Sequence, residues 1–238
     1  MRNILVTNDD GIESQGLLRL VRAATAFGRV WVVAPDSQRS AASHSITLHQ
    51  MIDVWPREYP VPGVSAYAIS GTPADCVRMG GLRLMPVRPD AVLSGINAGY
   101  NAATDIQYSA TCGAAFEAAF QGYQAIALSE GTGGCNEVTD AYLNGILEEL
   151  IDKDPGEDRI WNVNFPDCTL DECAGILRGR TVSRSSFYRD QYNLVECLRD
   201  GGARYLAEGI AHGRGEESTD LYAILHRFVS VGTVKNVG

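Results

Sequence analysis

The chain has 238 residues, enough to bury a full core as one α/β domain. With 45% hydrophobic and 21% charged residues, 25 Gly and 9 Pro, its composition excludes disordered, collagen-like and coiled-coil classes. Acids outnumber bases by 29 to 20, a formal charge of -9, and no stretch gathers Lys and Arg into a stripe, so a nucleic-acid duplex is disfavoured as partner.

Residues Arg2 to Thr7 form a short apolar, β-prone run that stops at Asn8-Asp9-Asp10-Gly11, and Gly16 to Phe27 carries apolar residues at helical spacing. Val30 to Ala34 repeats the buried-strand pattern, so the opening segment predicts a β-α-β unit with a parallel pair. From about residue 45 to 70, short apolar runs broken by Pro56, Pro60, Pro62 and Gly63 predict an inserted hairpin. Thr72 to Met85 reads as a helix with Thr72 as N-cap and Pro73 in its first turn. Asp90 to Ser94 predicts a strand, Gly95 to Gln107 a polar, Gly-rich loop, Ser109 to Phe120 a helix and Ala125 to Ser129 a strand. A helix over Asp140 to Ile151 and a strand over Arg159 to Asn164 follow. The expectation is a doubly wound, Rossmann-like three-layer core with a mainly parallel sheet over residues 1–166. Residues 167–238, within the same overall domain, are expected to form extended arms used in oligomer contacts, then a short helix (Thr219 to Arg227) and a last strand (Phe228 to Val234).

No run approaches the ~18 apolar residues of a membrane helix, and the opening apolar run is too short for a signal-peptide core, so a cytoplasmic chain without a membrane partner is expected. The six cysteines lack a CxxC pair or a nearby His, which argues for free thiols, with Cys76 and Cys112 packed in helices.

In an open parallel sheet, ligands bind beyond the carboxyl ends of the strands. Three such ends are oxygen-rich: Asn8, Asp9 and Asp10; Asp36 to Ser40; and Ser94 to Asn101. Adjacent carboxylates repel unless solvated or balanced by a cation, and hard oxygen ligands without His or Cys suit Mg²⁺ or Mn²⁺. A plain Asx turn at Asp9-Asp10-Gly11 is the structural alternative. Gly95 and Gly99 would let backbone N–H groups approach an anion, and Ser109 and Thr111 open a helix whose N-terminus attracts phosphate, although Ser109 is equally an ordinary N-cap and Asn97 a turn residue. Arg39 is either a phosphate clamp or a solvated loop residue. His44 lies near Ser40 in sequence and either approaches the site or is a surface or turn residue; His49, His212 and His226 read as structural; Tyr100 and Tyr108 pack in the core or at the rim or stack on a base.

The motifs NDDGI (Asn8 to Ile12), VVAPDSQRSAAS (Val32 to Ser43), SGTPADCV (Ser70 to Val77), SGINAGYN (Ser94 to Asn101) and YSATCGAAFEA (Tyr108 to Ala118), with VNFP (Val163 to Pro166), resemble the SurE family of metal-dependent 5'-nucleotidases across nearly the whole chain. The resemblance implies a Rossmann-like core, C-terminal arms exchanged in a homodimer, in some members within a tetramer, and one divalent ion per subunit, Mg²⁺ or Mn²⁺. It places that ion on Asp9, Asp10, Ser40 and Asn97, and implies hydrolysis of nucleoside 5'-monophosphates, with 3'-monophosphates and short polyphosphate as further substrates. On this reading Asp9 orients or deprotonates the attacking water. Asn8, Asn97, Ser109 and Thr111 donate to the phosphate, Gly95 lies against it, and Asp9, Asn8 and Asn97 are the catalytic residues. Ala41 and Ala110 stand where the family pattern has glycine, and Phe228 and Gly232-Thr233-Val234 depart from the usual ending. Two other classes compete: a nucleotide-sugar transferase, which the short chain disfavours and which would transfer sugar without releasing phosphate, and a non-catalytic nucleotide sensor, which would bind without turnover.

Overall fold

The computed structural model describes residues 1–211 and 213–236. Its framework is a nine-stranded, mostly parallel sheet in the order β3-β4-β2-β1-β5-β6-β7-β11-β8. Strand β1 (Arg2–Thr7) pairs in parallel with β2 (Gly28–Pro35) on one side and β5 (Ala91–Ala98) on the other. β6 (Gln124–Glu130) and β7 (Arg159–Phe165) continue the parallel run.

Alternation along the strands sends side chains into two cores. Ile4 and Val6 of β1 with Val30 and Val32 of β2 face α1 (Gln15–Ala24) and α4 (Glu137–Leu150). Leu5, Trp31 and Val33 face α2 (Pro73–Met79) and α3 (Ala110–Phe120) on the opposite side. This is the doubly wound three-layer core that the element order predicts. Side-chain caps start the helices, at Thr72 and Ser109 as expected and at Ser14, which sequence reasoning did not name. Ser14 accepts from the Leu17 N–H, Thr72 and Asp75 form a capping box, and Ser109 accepts from the Cys112 N–H.

The predicted hairpin is β3 (Val54–Arg57) with β4 (Ser65–Ile69), and it is no separate insert, because β4 pairs in parallel with β2 and extends the main sheet. The helix expected over Thr72 to Met85 ends early at Met79 and passes into a π-turn, Gly80–Leu84. Gly80 and Gly81 are the reason: paired glycines weaken an α-helix, and a Cβ at Gly80 would stand 2.7 Å from Leu5.

The C-terminal stretch divides. Strand β8 (Gly175–Arg180) and β11 (Phe228–Lys235) join the main sheet, β11 antiparallel to β7 and parallel to β8. Strands β9 (Tyr188–Cys197) and β10 (Ala203–Ala211) form a separate antiparallel hairpin. The helix α5 (Asp220–Leu225) is capped by Thr219. Buried Asp220 accepts from the N–H groups of Ala103 and Ser183, tying this helix to the loop after β5. Among the described residues, no helix is long and apolar enough to cross a membrane, and all six cysteines are free, with Cys76 and Cys112 buried.

Candidate active site

Strands β2, β1 and β5 are neighbours in the sheet, so the three oxygen-rich loops at their carboxyl ends meet. Backbone and side-chain bonds lock them together. The Arg39 N–H donates to the Asp9 carbonyl at 2.7 Å, the Ile12 N–H donates to the Pro35 carbonyl at 2.9 Å, and the Ala98 N–H donates to Asp10 Oδ2 at 3.1 Å. From the next element, the Thr111 hydroxyl donates to Asp9 Oδ1 at 2.6 Å.

Asp9 is buried and Asp10 half-buried. Burial pushes the Asp9 carboxyl up to about 6, against the opposing Thr111 bond, and Asp10 beside it adds to the rise. Burial also raises Asp10, against bonds from the Ala98 N–H and the Gln38 amide. No Lys, Arg or His is among the groups acting on either carboxyl. Two carboxyls crowded at one strand end with no basic partner are an acceptor for a cation.

The donor set fits a hard divalent ion on a further observation. Asn8 Nδ2 spends both N–H groups, on the Gly11 carbonyl at 3.0 Å and on Ser14 Oγ at 2.7 Å, which leaves Asn8 Oδ1 buried without a partner. Because a carbonyl can only accept, the amide orientation follows from this contact. Asn97, half-buried, donates one amide N–H to the Gly99 carbonyl at 2.8 Å, so its oxygen is free of that contact. Ser40 is exposed, and its Oγ accepts from Gln38 Nε2 at 3.0 Å. Among the described residues no cluster of three or more His, Cys, Asp or Glu is poised to hold a metal. The two carboxyls, with the Asn97 amide and the Ser40 hydroxyl on the adjoining strand ends, offer oxygen donors of the kind Mg²⁺ and Mn²⁺ prefer.

Two expected roles need correction, and a third residue, Gly95, has a structural duty besides the role expected of it. Asn8 has no side-chain N–H left for a phosphate, both being spent on Gly11 and Ser14, and its oxygen is buried without a partner. The Thr111 hydroxyl is spent on Asp9, so this residue holds a carboxylate in place, and only its backbone N–H faces the helix N-terminus. Gly95 is required by the sheet: at φ 140°, a Cβ would lie 2.2 Å from the Leu128 carbonyl of β6. Ser109 caps α3 as expected, its Oγ accepting from the Cys112 N–H at 3.0 Å, and its own hydroxyl proton remains available.

Of the other singled-out residues, Arg39 donates to Asp36 Oδ1 and the Ser70 carbonyl, at 3.2 and 3.0 Å, and so braces its own loop. His44 Nε2 lies 3.0 Å from Glu117 Oε2 in α3. Tyr100 is half-buried, its oxygen accepting from the Asp167 N–H, while Tyr108 is exposed. His49 is exposed and His226 stacks on Tyr222; His212 lies outside the described residues.

Sequence reasoning missed Glu117, whose buried carboxylate gathers His44, Arg78 and Gln121 behind the loop of Ser40. A lone acid within the apolar run of α3 was the available signal, since charges are seldom fully buried unless paired. It also missed Gly113, where a Cβ would stand 2.4 Å from the Ser43 carbonyl, so that only glycine lets the same loop lie on α3.

Fold and geometry together define a doubly wound α/β protein with two adjacent carboxyls at its strand ends, one of them bonded to the first turn of a helix. The family model "Survival protein SurE" matches residues 4–187, and the chain belongs to the SurE family. It is 37% identical over 235 residues to a protein of Pelobacter propionicus named 5'-nucleotidase SurE, covering 96% of this chain and 91% of that one. It is 38% identical over 242 residues to the protein of the same name from Mesorhizobium japonicum, with the same coverage. The SurE protein crystal structure from Aquifex aeolicus superposes with a TM-score of 0.80 at 33% identity, covering 98% of this chain and 93% of that one.

Proposed function

We propose that this chain removes phosphate from nucleoside 5'-monophosphates with the help of one divalent ion, Mg²⁺ or Mn²⁺, per subunit. Membership of the SurE family, whose curated relatives are named 5'-nucleotidases, makes the chain a hydrolase of phosphoric monoesters. The observation that carries the metal-assisted reading is the buried Asp9, paired with Asp10, pushed up to about 6 and without a basic partner.

Asp9 and Asp10 would hold the ion, with Ser40 and the Asn97 oxygen completing the set. When bound, the ion supplies charge compensation to the phosphate and makes a nearby water more acidic. Thr111 fixes the Asp9 carboxylate, so that its remaining lone pairs can orient the attacking water or take up its proton. The first N–H groups of α3, with the Ser109 hydroxyl, would receive the equatorial phosphate oxygens, the preorganised stabilisation on which phosphoryl transfer depends. Nucleoside 3'-monophosphates and short polyphosphate present the same terminal group, and we include them as further substrates.

The hairpin β9–β10 supports an oligomer. Tyr192, Leu194, Val195, Tyr205 and Leu206 are exposed on it, and an isolated two-stranded hairpin is marginal in water. We propose that it packs on a second copy in a homodimer, with a tetramer as the larger assembly. The free cysteines accord with a cytoplasmic, reducing location.

The test is phosphate release from AMP, GMP and an aryl phosphate in Mg²⁺, Mn²⁺ or EDTA. Turnover that requires the metal and favours the nucleotides supports the proposal; full activity in EDTA, or in Asp9→Asn, overturns it.

A further inference from the structure

A cavity of about 840 Å³, which neither of the paired aspartates lines, lies against the outer strands β7, β11 and β8. Arg159 opens β7, and the register pairs it with Lys235, while Arg180 pairs with Gly232. Arg159 and Lys235 therefore sit at the amino end of β7, roughly 20 Å along that strand from its carboxyl end, while Arg180, level with Asn162 through Gly232, stands midway along it. A wall of the cavity is built from the turn Ala103–Tyr108.

The lining is strongly basic in a protein whose formal charge is -9. Lys153, Arg159, Arg178, Arg180, Arg184 and Lys235 face it, and Glu149 is its lone acid. That carboxylate serves two of the cations, Arg178 at 2.7 Å and Lys153 at 3.7 Å. Arg180 donates only to the Arg178 and Glu217 carbonyls, at 3.1 and 2.9 Å, and Arg159 to the Thr233 hydroxyl at 3.3 Å. Among the described residues, Arg159, Arg180, Arg184 and Lys235 form no ion pair.

Like charges collected in one concavity raise the local concentration of counter-ions, and guanidinium groups match phosphate oxygens in pairs. The volume lies within the range of small-molecule sites and exceeds what one inorganic phosphate fills. We infer that this cavity binds an oligophosphate group, either free as an inorganic chain or carried by a nucleoside, at a site separate from the aspartate pocket. The aspartate pocket itself repels such an anion when no metal is present, so the two sites are separable in solution.

The experiment is isothermal titration calorimetry of the full chain in EDTA at low ionic strength, with inorganic tripolyphosphate in one arm and ATP in the other. Saturable binding is expected, weakened at least tenfold in Arg180→Glu/Lys235→Glu and weakened in the milder Arg180→Gln and Lys235→Gln single variants. Their metal-dependent turnover of AMP should stay within twofold of the parent. Equal affinity for the two anions shows that the phosphate chain alone is read, and tighter ATP shows that the nucleoside adds contacts; both support the site. Absence of saturable binding at millimolar anion, or binding unchanged in every variant, overturns it. So does sedimentation showing that these variants dissociate an anion-free assembly, which would make the cavity a contact between copies of the chain.

Discussion

The Thr111 hydroxyl reaches across 102 positions of sequence to donate to Asp9 Oδ1 at 2.6 Å, joining the first turn of α3 to the end of β1. The bond sets the carboxylate's direction and opposes the effect of burial on its proton affinity. Thr111→Val removes the donor, so Asp9 should hold its proton to higher pH. The acid limb of kcat/KM moves up, and activity at neutral pH falls by about tenfold. Thr111→Ser should restore both. A pH profile unchanged in Thr111→Val would show that the bond does not set the protonation of Asp9.

Without metal, Asp9 is a cost to the fold. Its ordinary value is 3.8 and it is pushed to about 6, so folding favours the protonated form. The stability that this preference provides is complete below pH 3.8 and is lost as the pH rises through 6. In EDTA at neutral pH, Asp9→Asn should therefore be more stable than the parent, by about 3 kcal/mol at most. Urea denaturation at several pH values measures this. Added Mg²⁺ should stabilise the parent and leave Asp9→Asn unmoved.

Ala41 follows Ser40 at φ 57°, the left-handed region that costs a residue with a Cβ about 1 kcal/mol or more. Ala41→Gly should raise the melting temperature by roughly 1 to 4 °C, part of the relief being offset by greater freedom of the unfolded chain. Thermal denaturation decides it, and a lower melting temperature would mean that the loop is not strained at this residue.

Glu117 anchors the other side of the same loop. Burial raises its carboxyl, but the bonds from His44, Gln121 and Arg78 outweigh that, and it rests below the ordinary 4.5. The stabilisation it provides is present above pH 4.5 and fades as the pH falls through its lowered value. Glu117→Gln should cost about 1 to 2 kcal/mol at neutral pH, with a smaller difference in acid, as read by denaturant midpoints. An equal loss at every pH would assign the effect to packing.

The core was legible because its signals are local. Apolar runs such as Ile4 to Val6 and Val30 to Ala34 end abruptly in polar turns, and Ser14, Thr72 and Ser109 cap the helices that follow. The meeting of the three loops required only that β2, β1 and β5 be neighbours. Long-range pairing is less readable. Nothing in Ser65–Ile69 announces that it joins β2 in parallel, or in Gly175–Arg180 that it closes the far edge of the sheet. Within the site, residue type did not disclose which atoms were already engaged. Asn8 and Thr111 have the chemistry of phosphate donors, yet Ser14, Gly11 and Asp9 consume it. The basic cavity escaped notice for a similar reason, since Lys153, Arg184 and Lys235 are far apart in the chain and only the sheet edge brings them together.

The central claim is that one divalent cation is held between Asp9 and Asp10, and anomalous diffraction from a crystal soaked in manganese tests it most directly. The account predicts a single anomalous peak per chain, at coordination distance from both carboxylates, with the Ser40 and Asn97 oxygens turned toward it. A soaked crystal with no peak at these aspartates would contradict the account.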